Sequence, residues 1–331
     1  MAQRDVAIER SGKEITQQVS IIIPTRNRCA LLPRAIESAR QAGTDVEIVV
    51  VDDASEDETA EVCRKWLNSG SVRYIRARRR LGPAGARNVG LISSSSPYVS
   101  FLDDDDRRLP GTLDIQIERL EKEPDAGMIY GRALYGDEDC NATSECYPQD
   151  CPEGDLFWKV LEWNFIPCPT VVFRRACLSR VGLLEQEAPG IEDWDLWVRI
   201  AELYPVLATC RPVAIWRRGN PASGQFTSRS ENLHREARRL HRDKWLRLPR
   251  AIESGPDRQR HAAREFARYA SQQLVWEAGA SLKSKHFSAF ARIALAGVRM
   301  YPVGVSKKVF SSTTLRSLMN NLTGTELNKS A

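Results

Sequence analysis

The chain has 331 residues, of which 42% are hydrophobic and 27% are charged, and its formal net charge is +5 at pH 7. This composition is ordinary for a soluble globular protein, and the length suits about two domains. The mild basic excess permits anionic partners without requiring nucleic acid, and no run of 18 uncharged apolar residues occurs, which excludes a predicted membrane span.

Residues 1–16 are polar and contain no apolar segment of the kind found in secretory signals. We therefore expect a cytoplasmic protein whose eight cysteines are free thiols. Cys140, Cys146 and Cys151 lie close together, but their spacing is not that of a zinc site, and we assign them no metal.

The first hundred residues alternate between predicted strands, the first two of them β-branched, and helical patterns. The predicted strands cover 19–23, 46–51, 72–75 and 99–102, and the predicted helices cover 31–42, 58–67 and a segment from the Gly82–Pro83 turn to about 92. Strands that alternate with helices through short connections indicate a parallel sheet with right-handed crossovers.

Carboxylates follow two of these strands at the point where each strand ends. Asp52 and Asp53 follow the second strand, and the run 103–106 is four consecutive aspartates after the fourth. Ligands bind at the carboxyl ends of strands in open α/β sheets, and carboxylate oxygens suit Mg²⁺ or Mn²⁺. The alternative is an acidic surface turn without a metal.

Further elements are predicted along the rest of this region. They are a helix from Pro110, a strand over 128–130, an irregular loop over 137–153, an aromatic-rich segment over 156–165, a strand over 169–173, a helix beginning at 191 and strands over 206–209 and 213–216. Glu192 and Asp193 lie in the first turn of the helix from 191. Their carboxylates either face a cleft or only stabilise the positive end of the helix dipole.

From residue 230 onward the sequence is rich in Arg and Ala and helical in pattern, and all four histidines lie there. We predict a domain over 1–220 and a basic helical region over 221–331. Unless this region folds over the cleft, carboxylates must perform any acid–base chemistry. The segment 286–305 is a basic amphipathic helix, which either contacts an anionic membrane surface or packs on the main body.

Four segments, in order between residues 19 and 218, resemble glycosyltransferase family 2. They are VSIIIPTRN at 19–27, EIVVVDDAS at 47–55, GARN at 85–88 with YVSFLDDDD at 98–106, and EDWDLW at 192–197. The resemblance implies an α/β protein of the GT-A fold, with a Rossmann-like, mostly parallel sheet and flanking helices, followed by the C-terminal helical region.

The resemblance also implies roles for nine residues. Pro24, Thr25 and Arg26 line the nucleotide pocket, Asp53 bonds the base, Arg87 contacts the nucleotide, Asp103 and Asp104 bind the nucleotide sugar, Asp105 with Asp103 holds a divalent Mn²⁺ or Mg²⁺, and Asp193 is the catalytic base. A carboxylate at Asp53 favours UDP or dTDP, because uracil and thymine carry an N3–H donor and cytosine does not.

The chain departs from the family pattern after its last predicted strand. Family members often carry a histidine there that joins the metal, whereas this chain reads WRRGNP at 216–221. Either water and phosphate complete the metal site, or these arginines assist the leaving group. The arginines at 76 and 78–80 have no family role, and we expect a solvated basic face.

We therefore predict an inverting, metal-dependent glycosyltransferase of hexosyltransferase type. It would move a sugar from a nucleotide-diphosphate donor to a glycan, lipid-linked or other hydroxyl acceptor in polysaccharide or cell-envelope biosynthesis, with peripheral contact at the inner face of a membrane and no nucleic acid. The alternatives are a nucleotidyltransferase and a non-catalytic protein that binds nucleotide sugars or nucleic acid. Against these, no Gly-rich loop follows the first strand, and Asp105 and Asp193 are both present.

Overall fold

The computed structural model describes residues 18–67, 72–217 and 230–301. Within these ranges the strands are β1 (Val19–Thr25), β2 (Val46–Asp52), β3 (Arg73–Arg76), β4 (Tyr98–Phe101), β5 (Arg107–Arg108), β6 (Met128–Gly136), β7 (Ala142–Tyr147), β8 (Val172–Arg174) and β9 (Val206–Arg217). The α-helices are α1 (Leu32–Gln41), α2 (Thr59–Leu67), α3 (Gly82–Ser93), α4 (Thr112–Lys122), α5 (Phe157–Glu162), α6 (Leu178–Val181), α7 (Glu192–Leu203), α8 (Ser230–Asp243), α9 (Pro249–Glu253), α10 (Gly255–Lys283) and α11 (Phe287–Met300).

The strands form one sheet in the order β3-β2-β1-β4-β8-β6-β9-β5, with β7 added on β6. From β3 to β4 all pairs are parallel, as predicted for this half. Beyond β4 the sheet is mixed, because β8 runs antiparallel to both of its neighbours while β6 and β9 are parallel. The architecture is the α/β sheet with flanking helices that the sequence predicts, with a less parallel second half.

Strand β1 shows why this sheet has helices on both faces. Its side chains alternate, so that Ile21 and Ile23 enter the core formed with α1 and α4, whereas Ile22 enters the core formed with α3 and α7. Helix α3 approaches β1 closely at Gly90, where an added Cβ would lie 2.4 Å from Ile22 Cγ2. A side chain at this position would push α3 away from the sheet.

The parallel register brings the carboxyl ends of three strands to one edge. Thr25 at the end of β1 pairs with Asp52 at the end of β2, and Ile22 pairs with Phe101 at the end of β4. The residues that follow these strands, including Asp53 and the aspartates at 103–106, therefore emerge side by side. This edge carries the site described below.

Two of the differences from the sequence predictions lie beside β6. Part of the segment predicted as an irregular loop, 137–153, forms β7, which pairs with the extended end of β6. The two short strands predicted at 206–209 and 213–216 form the single strand β9. The register of the β6–β9 pairing shifts twice, on either side of Arg132, which lies opposite Pro212. The gap between the two predicted strands is therefore an irregularity within one continuous strand. Both differences arise from pairing with β6, which no local pattern reveals.

The C-terminal helices share a hydrophobic core with the α/β region. Trp245 is fully buried and its ring lies 5.0 Å from that of Trp194 in α7, which also contacts Phe266 of α10 at 6.0 Å. The predicted boundary at 220/221 falls outside the described residues. None of the described helices combines the length and apolar character that crossing a bilayer requires.

Replacing Asp195 with alanine is expected to destabilise the fold by about 3–5 kcal/mol. The Asp195 carboxylate is fully buried and accepts hydrogen bonds from Trp245 Nε1 at 2.9 Å and Lys244 Nζ at 3.1 Å, and it pairs with Arg199 at 2.8 Å. Its loss leaves buried donors unpaired where α7 meets the C-terminal helices. Urea unfolding followed by circular dichroism measures the change.

Asp243→Ala is the matched control, because this carboxylate is exposed and pairs with its neighbour Arg242. Its unfolding midpoint should stay at the wild-type value. Equal midpoints for the Asp195 and Asp243 variants would show that the buried carboxylate does not hold the C-terminal helices in place.

Candidate active site

A cavity of about 510 Å³ opens at the carboxyl edge of the sheet. All nine residues to which the sequence analysis assigns a role line it: Pro24, Thr25, Arg26, Asp53, Arg87, Asp103, Asp104, Asp105 and Asp193. They come from the ends of β1, β2 and β4, from α3 and from the first turn of α7. Their roles stay predictions, but their positions are those of one site.

Three carboxylates in this cavity are close enough to hold a metal ion together. Asp103, Asp105 and Asp106 each offer an oxygen, and these oxygens lie within 4.8 Å of one another. Asp106 Oδ1 accepts the backbone N–H of Arg217 at 2.9 Å, whereas its buried Oδ2 finds no hydrogen-bond donor among the described residues. Asp106 had no assigned role in the sequence analysis, although it ends the same aspartate run.

The electrostatics of this cluster fit a hard cation. Burial raises the pKa of Asp106 well above its ordinary value, and repulsion from Asp105 and Asp103 raises it further. Burial also raises the pKa of Asp104 to about 6, against the attraction of Arg28. Buried like charges repel unless a positive charge lies between them, and oxygen ligands in this arrangement suit Mg²⁺ or Mn²⁺.

Two arginines, Arg28 and Arg217, lie beside the aspartate cluster. Arg28 Nη1 is 2.8 Å from Asp104 Oδ1 and 3.1 Å from Asp105 Oδ2. Arg217 Nη2 is 3.0 Å from the same oxygen of Asp105. Arg217 belongs to the segment where the family often carries a histidine, so an arginine contacts the predicted metal ligand here. Residues 218–221 of that segment lie outside the described residues.

Arg87 joins two other elements of the site. Its guanidinium is buried and pairs with Asp103 and with Glu192, each at 2.5 Å. Burial alone lowers the pKa of Arg87, but the carboxylates outweigh it and hold that pKa well above its ordinary value. Glu192 also accepts the backbone N–H of Gly190 at 2.5 Å. Glu192 is therefore more than a helix cap, since it links α3 to the start of α7.

Asp193 is half-buried at the first turn of α7, and its Oδ1 accepts the N–H of Trp194 at 2.7 Å. Burial raises the pKa of Asp193 to about 7, and the neighbouring Glu192 adds to the rise while Arg87 opposes it. A carboxylate whose pKa lies near neutrality is suited to accept a proton from a hydroxyl group.

Residues 20–180 match the family model described as Glycosyl transferase family 2. The Campylobacter jejuni protein named GalNAc(5)-diNAcBac-PP-undecaprenol beta-1,3-glucosyltransferase is 38% identical over 108 residues, which are 32% of this chain and 35% of that protein. The succinoglycan biosynthesis protein ExoU of Rhizobium meliloti is 30% identical over 223 residues, 62% of this chain and 64% of that protein. Residues 20–180 form a glycosyltransferase family 2 domain.

A solved structure resembles the fold of this chain. S. aureus TarS (residues 1–349) in complex with UDP-GlcNAc superposes with a TM-score of 0.60 at 18% identity, covering 92% of this chain and 87% of that chain. The likeness shows the GT-A fold. The chain spans between about a quarter and two thirds of the length of the curated relatives it matches, from 26% to 64%. The family match favours glycosyl transfer over the nucleotidyltransferase hypothesis.

Asp53 of the glycosyltransferase domain, predicted to bond the base, also fixes the start of α3. Its two oxygens accept the backbone N–H groups of Leu81 at 2.5 Å and Gly82 at 3.0 Å. The carboxylate is thus held in one orientation at the cavity wall. Base recognition by Asp53 remains a prediction.

The arginines at 76 and 78–80 are all exposed, in agreement with a solvated basic face. Arg76 donates to the carbonyl of Ser55 at 2.6 Å, and Arg80 lines the cavity. Arg80 therefore places a positive charge at the mouth of the site, a position that the sequence did not predict.

None of the four histidines, all within the described residues, lines the cavity. His241 is buried against Phe266, and burial lowers its pKa to about 4, so it stays neutral. Acid–base chemistry by the carboxylates of the cavity therefore stays the prediction.

Proposed function

We propose that the chain is an inverting glycosyltransferase that moves a sugar from a nucleoside-diphosphate donor to a hydroxyl acceptor. The observation that carries this proposal is one cavity lined by both the aspartate cluster and Asp193, whose pKa lies near 7. Asp193 accepts the proton of the acceptor hydroxyl while the oxygen of that hydroxyl bonds to the anomeric carbon. The bond from that carbon to the diphosphate breaks on the opposite face, which inverts its configuration.

Asp103, Asp105 and Asp106 would hold a divalent Mn²⁺ or Mg²⁺. When bound, the ion neutralises the negative charge that develops on the departing nucleoside diphosphate. The protein supplies further positive charge to the same region through Arg28, which lines the cavity, and Arg217, which pairs with Asp105. Of these two, Arg217 belongs to the segment whose arginines are a predicted alternative for leaving-group assistance, and Arg28 is added here from its contacts with Asp104 and Asp105.

UDP or dTDP is expected to raise the melting temperature of the protein, and Mn²⁺ is expected to increase this effect. Asp53 offers an acceptor for the N3–H of uracil or thymine, and a bound ligand at a hundredfold excess over Kd stabilises by about 2.7 kcal/mol. Thermal shift with UDP, dTDP, CDP, GDP and ADP, each with Mn²⁺ or EDTA, tests this. Uridine without phosphates is the control. Absence of a shift with every diphosphate would overturn the proposed function.

We propose further that the acceptor is a glycan or a lipid-linked sugar used in polysaccharide or cell-envelope assembly, and that α11 contacts an anionic membrane surface. Ile293, Gly297 and Met300 of α11 are buried, and Gly297 packs against α10. The opposite face exposes Phe287, Leu295 and Val298, with exposed fractions of 64%, 50% and 42%. These positions share one side of the helix, and Lys285, Arg292 and Arg299 beside them are also exposed.

Leu295→Glu is expected to weaken binding to phosphatidylglycerol-containing vesicles several-fold, because interfacial helices bind through buried apolar area and basic charge. Cosedimentation measures this, with phosphatidylcholine vesicles as the uncharged comparison. Ile115→Glu is the matched control, since Ile115 is 46% exposed on α4 of the α/β region. Equal binding by both variants would contradict a membrane role for α11.

A further inference from the structure

Two aromatic side chains form part of the cavity wall and have no role in the mechanism above. Tyr147, at the end of β7, and Trp216, near the end of β9, both line the cavity and are both half-buried. Their ring centroids lie 6.4 Å apart. We call these two residues the aromatic wall.

The sheet register places the aromatic wall on one face. Ala133 of β6 pairs with Tyr147 and with Ala214, and Tyr135 pairs with Trp216, so these side chains share the same side of the sheet. Tyr135 stacks behind Trp216 with ring centroids 6.0 Å apart and an interplanar angle of 24°. Trp216 is thereby supported by a second ring.

A second set of contacts fixes Tyr147. Its hydroxyl accepts a hydrogen bond from Trp163 Nε1 at 3.2 Å and donates to the carbonyl of Asn164 at 3.3 Å. Trp163 in turn stacks on His234 of α8 at 6.2 Å and on Tyr269 of α10 at 5.9 Å. The C-terminal helices therefore brace the wall, which makes it a preorganised surface rather than a mobile loop.

The position of the wall along the sheet indicates its ligand. Asp53 follows β2, the aspartate cluster follows β4, and the wall lies on β7 and β9, on the other side of β4 from β2. If the nucleotide extends from Asp53 to a diphosphate at the aspartate cluster, the ligand groups beyond the diphosphate reach the wall. Those groups are sugar rings.

We infer that Tyr147 and Trp216 form a stacking surface for a pyranose ring, and this inference rests on the proposed function. A pyranose presents a face of C–H groups that packs on an aromatic ring while its hydroxyls reach polar groups around it. Binding sites for small ligands commonly combine aromatic walls with a few placed polar groups, and the aspartates, Asn164 and Arg87 supply these here.

The ring belongs either to the donor sugar or to the acceptor, and the experiment separates the two. Calorimetry measures the affinities of the wild type and of Trp216→Leu for three classes of ligand. The first is the nucleoside diphosphate selected by thermal shift, and the second is that diphosphate conjugated to a hexose. The third is a methyl hexopyranoside or an oligosaccharide, added with the diphosphate present. We expect the affinity for one of the two sugar-bearing classes to fall about two- to tenfold, and the affinity for the diphosphate alone to stay unchanged. A loss confined to hexose conjugates assigns the wall to the donor, and a loss confined to glycosides assigns it to the acceptor.

Trp216→Phe keeps an aromatic face and should retain most of the affinity. Trp276→Leu is the matched control, because Trp276 on α10 is 70% exposed and does not line the cavity. Unchanged affinity for both sugar classes in Trp216→Leu, or a parallel loss of diphosphate affinity, would overturn the inference. If the wild type binds no diphosphate, the proposed function fails. Quenching of tryptophan fluorescence by oligosaccharides in the wild type but not in Trp216→Leu would then still support the aromatic wall. Absence of that difference would overturn it.

Discussion

Asp193→Asn is expected to lower kcat by about 10²–10⁴-fold while the affinity for the nucleoside diphosphate stays near that of the wild type. Asparagine keeps the shape of the side chain and can still accept the hydrogen bond from the Trp194 N–H. It cannot take a proton from the acceptor hydroxyl. Release of nucleoside diphosphate in the presence of acceptor measures kcat, and thermal shift measures binding.

Asp257→Asn provides a matched control for this variant. Asp257 also lies in the first turn of its helix, but its side chain is 96% exposed and outside the cavity. Its kcat should equal that of the wild type. A kcat for Asp193→Asn within a few-fold of the wild type would remove Asp193 from the role of catalytic base.

The pH profile supplies a separate check on Asp193. A base acts in its ionised form, and burial raises the pKa of Asp193 from 3.8 to about 7. Transfer at low substrate concentration should therefore rise with pH up to about 7 and then level off, with roughly tenfold loss for each unit below it. A rate that stays constant down to pH 5 would contradict this assignment.

Asp105→Asn is expected to abolish the metal-dependent part of the thermal shift with UDP or dTDP, and to lower transfer by at least about a hundredfold. Asp105 lies at the centre of the charge cluster, because it shares the metal-ligand set with Asp103 and Asp106 and contacts Arg28 and Arg217. Asparagine retains one oxygen and the side-chain volume but removes the negative charge that attracts the cation.

The shift with UDP in Mn²⁺ and in EDTA should differ in the wild type and coincide in Asp105→Asn. Asp257→Asn should behave as the wild type. If the wild type itself gives equal shifts in Mn²⁺ and EDTA, then Arg28 and Arg217 neutralise the diphosphate without an ion. That result would favour leaving-group assistance by arginine, which the sequence leaves open for the arginines at 217 and 218.

Local sequence was sufficient for the elements that carry the site. The β-branched runs before Pro24 and Asp53 and the apolar run before Asp103 each form a strand, and parallel pairing brings their carboxyl ends to one edge. Strand–helix alternation predicts that the carboxylates after these strands meet at one edge of the sheet. The resemblance to glycosyltransferase family 2 implies the other site residues, including Arg87 and Asp193. The helix that carries Asp193 was recognisable from its acidic first turn and apolar stripe.

Contacts between distant segments decided the rest. The pairing of Arg217 with Asp105 joins residues 112 positions apart, and it depends on β9 forming one continuous strand beside β6. The aromatic wall depends on β7, a strand whose sequence is polar and irregular and which forms only because β6 extends to Gly136.

Strand–helix periodicity was therefore enough to predict the parallel half of the sheet, and motifs within short segments were enough to predict the family and the candidate donor-site residues. The contacts of Arg28 and Arg217 with the same carboxylates, and the support of the cavity by the C-terminal helices through Trp163, became visible only in the three-dimensional structure. These features depend on strand register and on packing between segments more than fifty residues apart, and such long-range contacts leave no signal in local patterns.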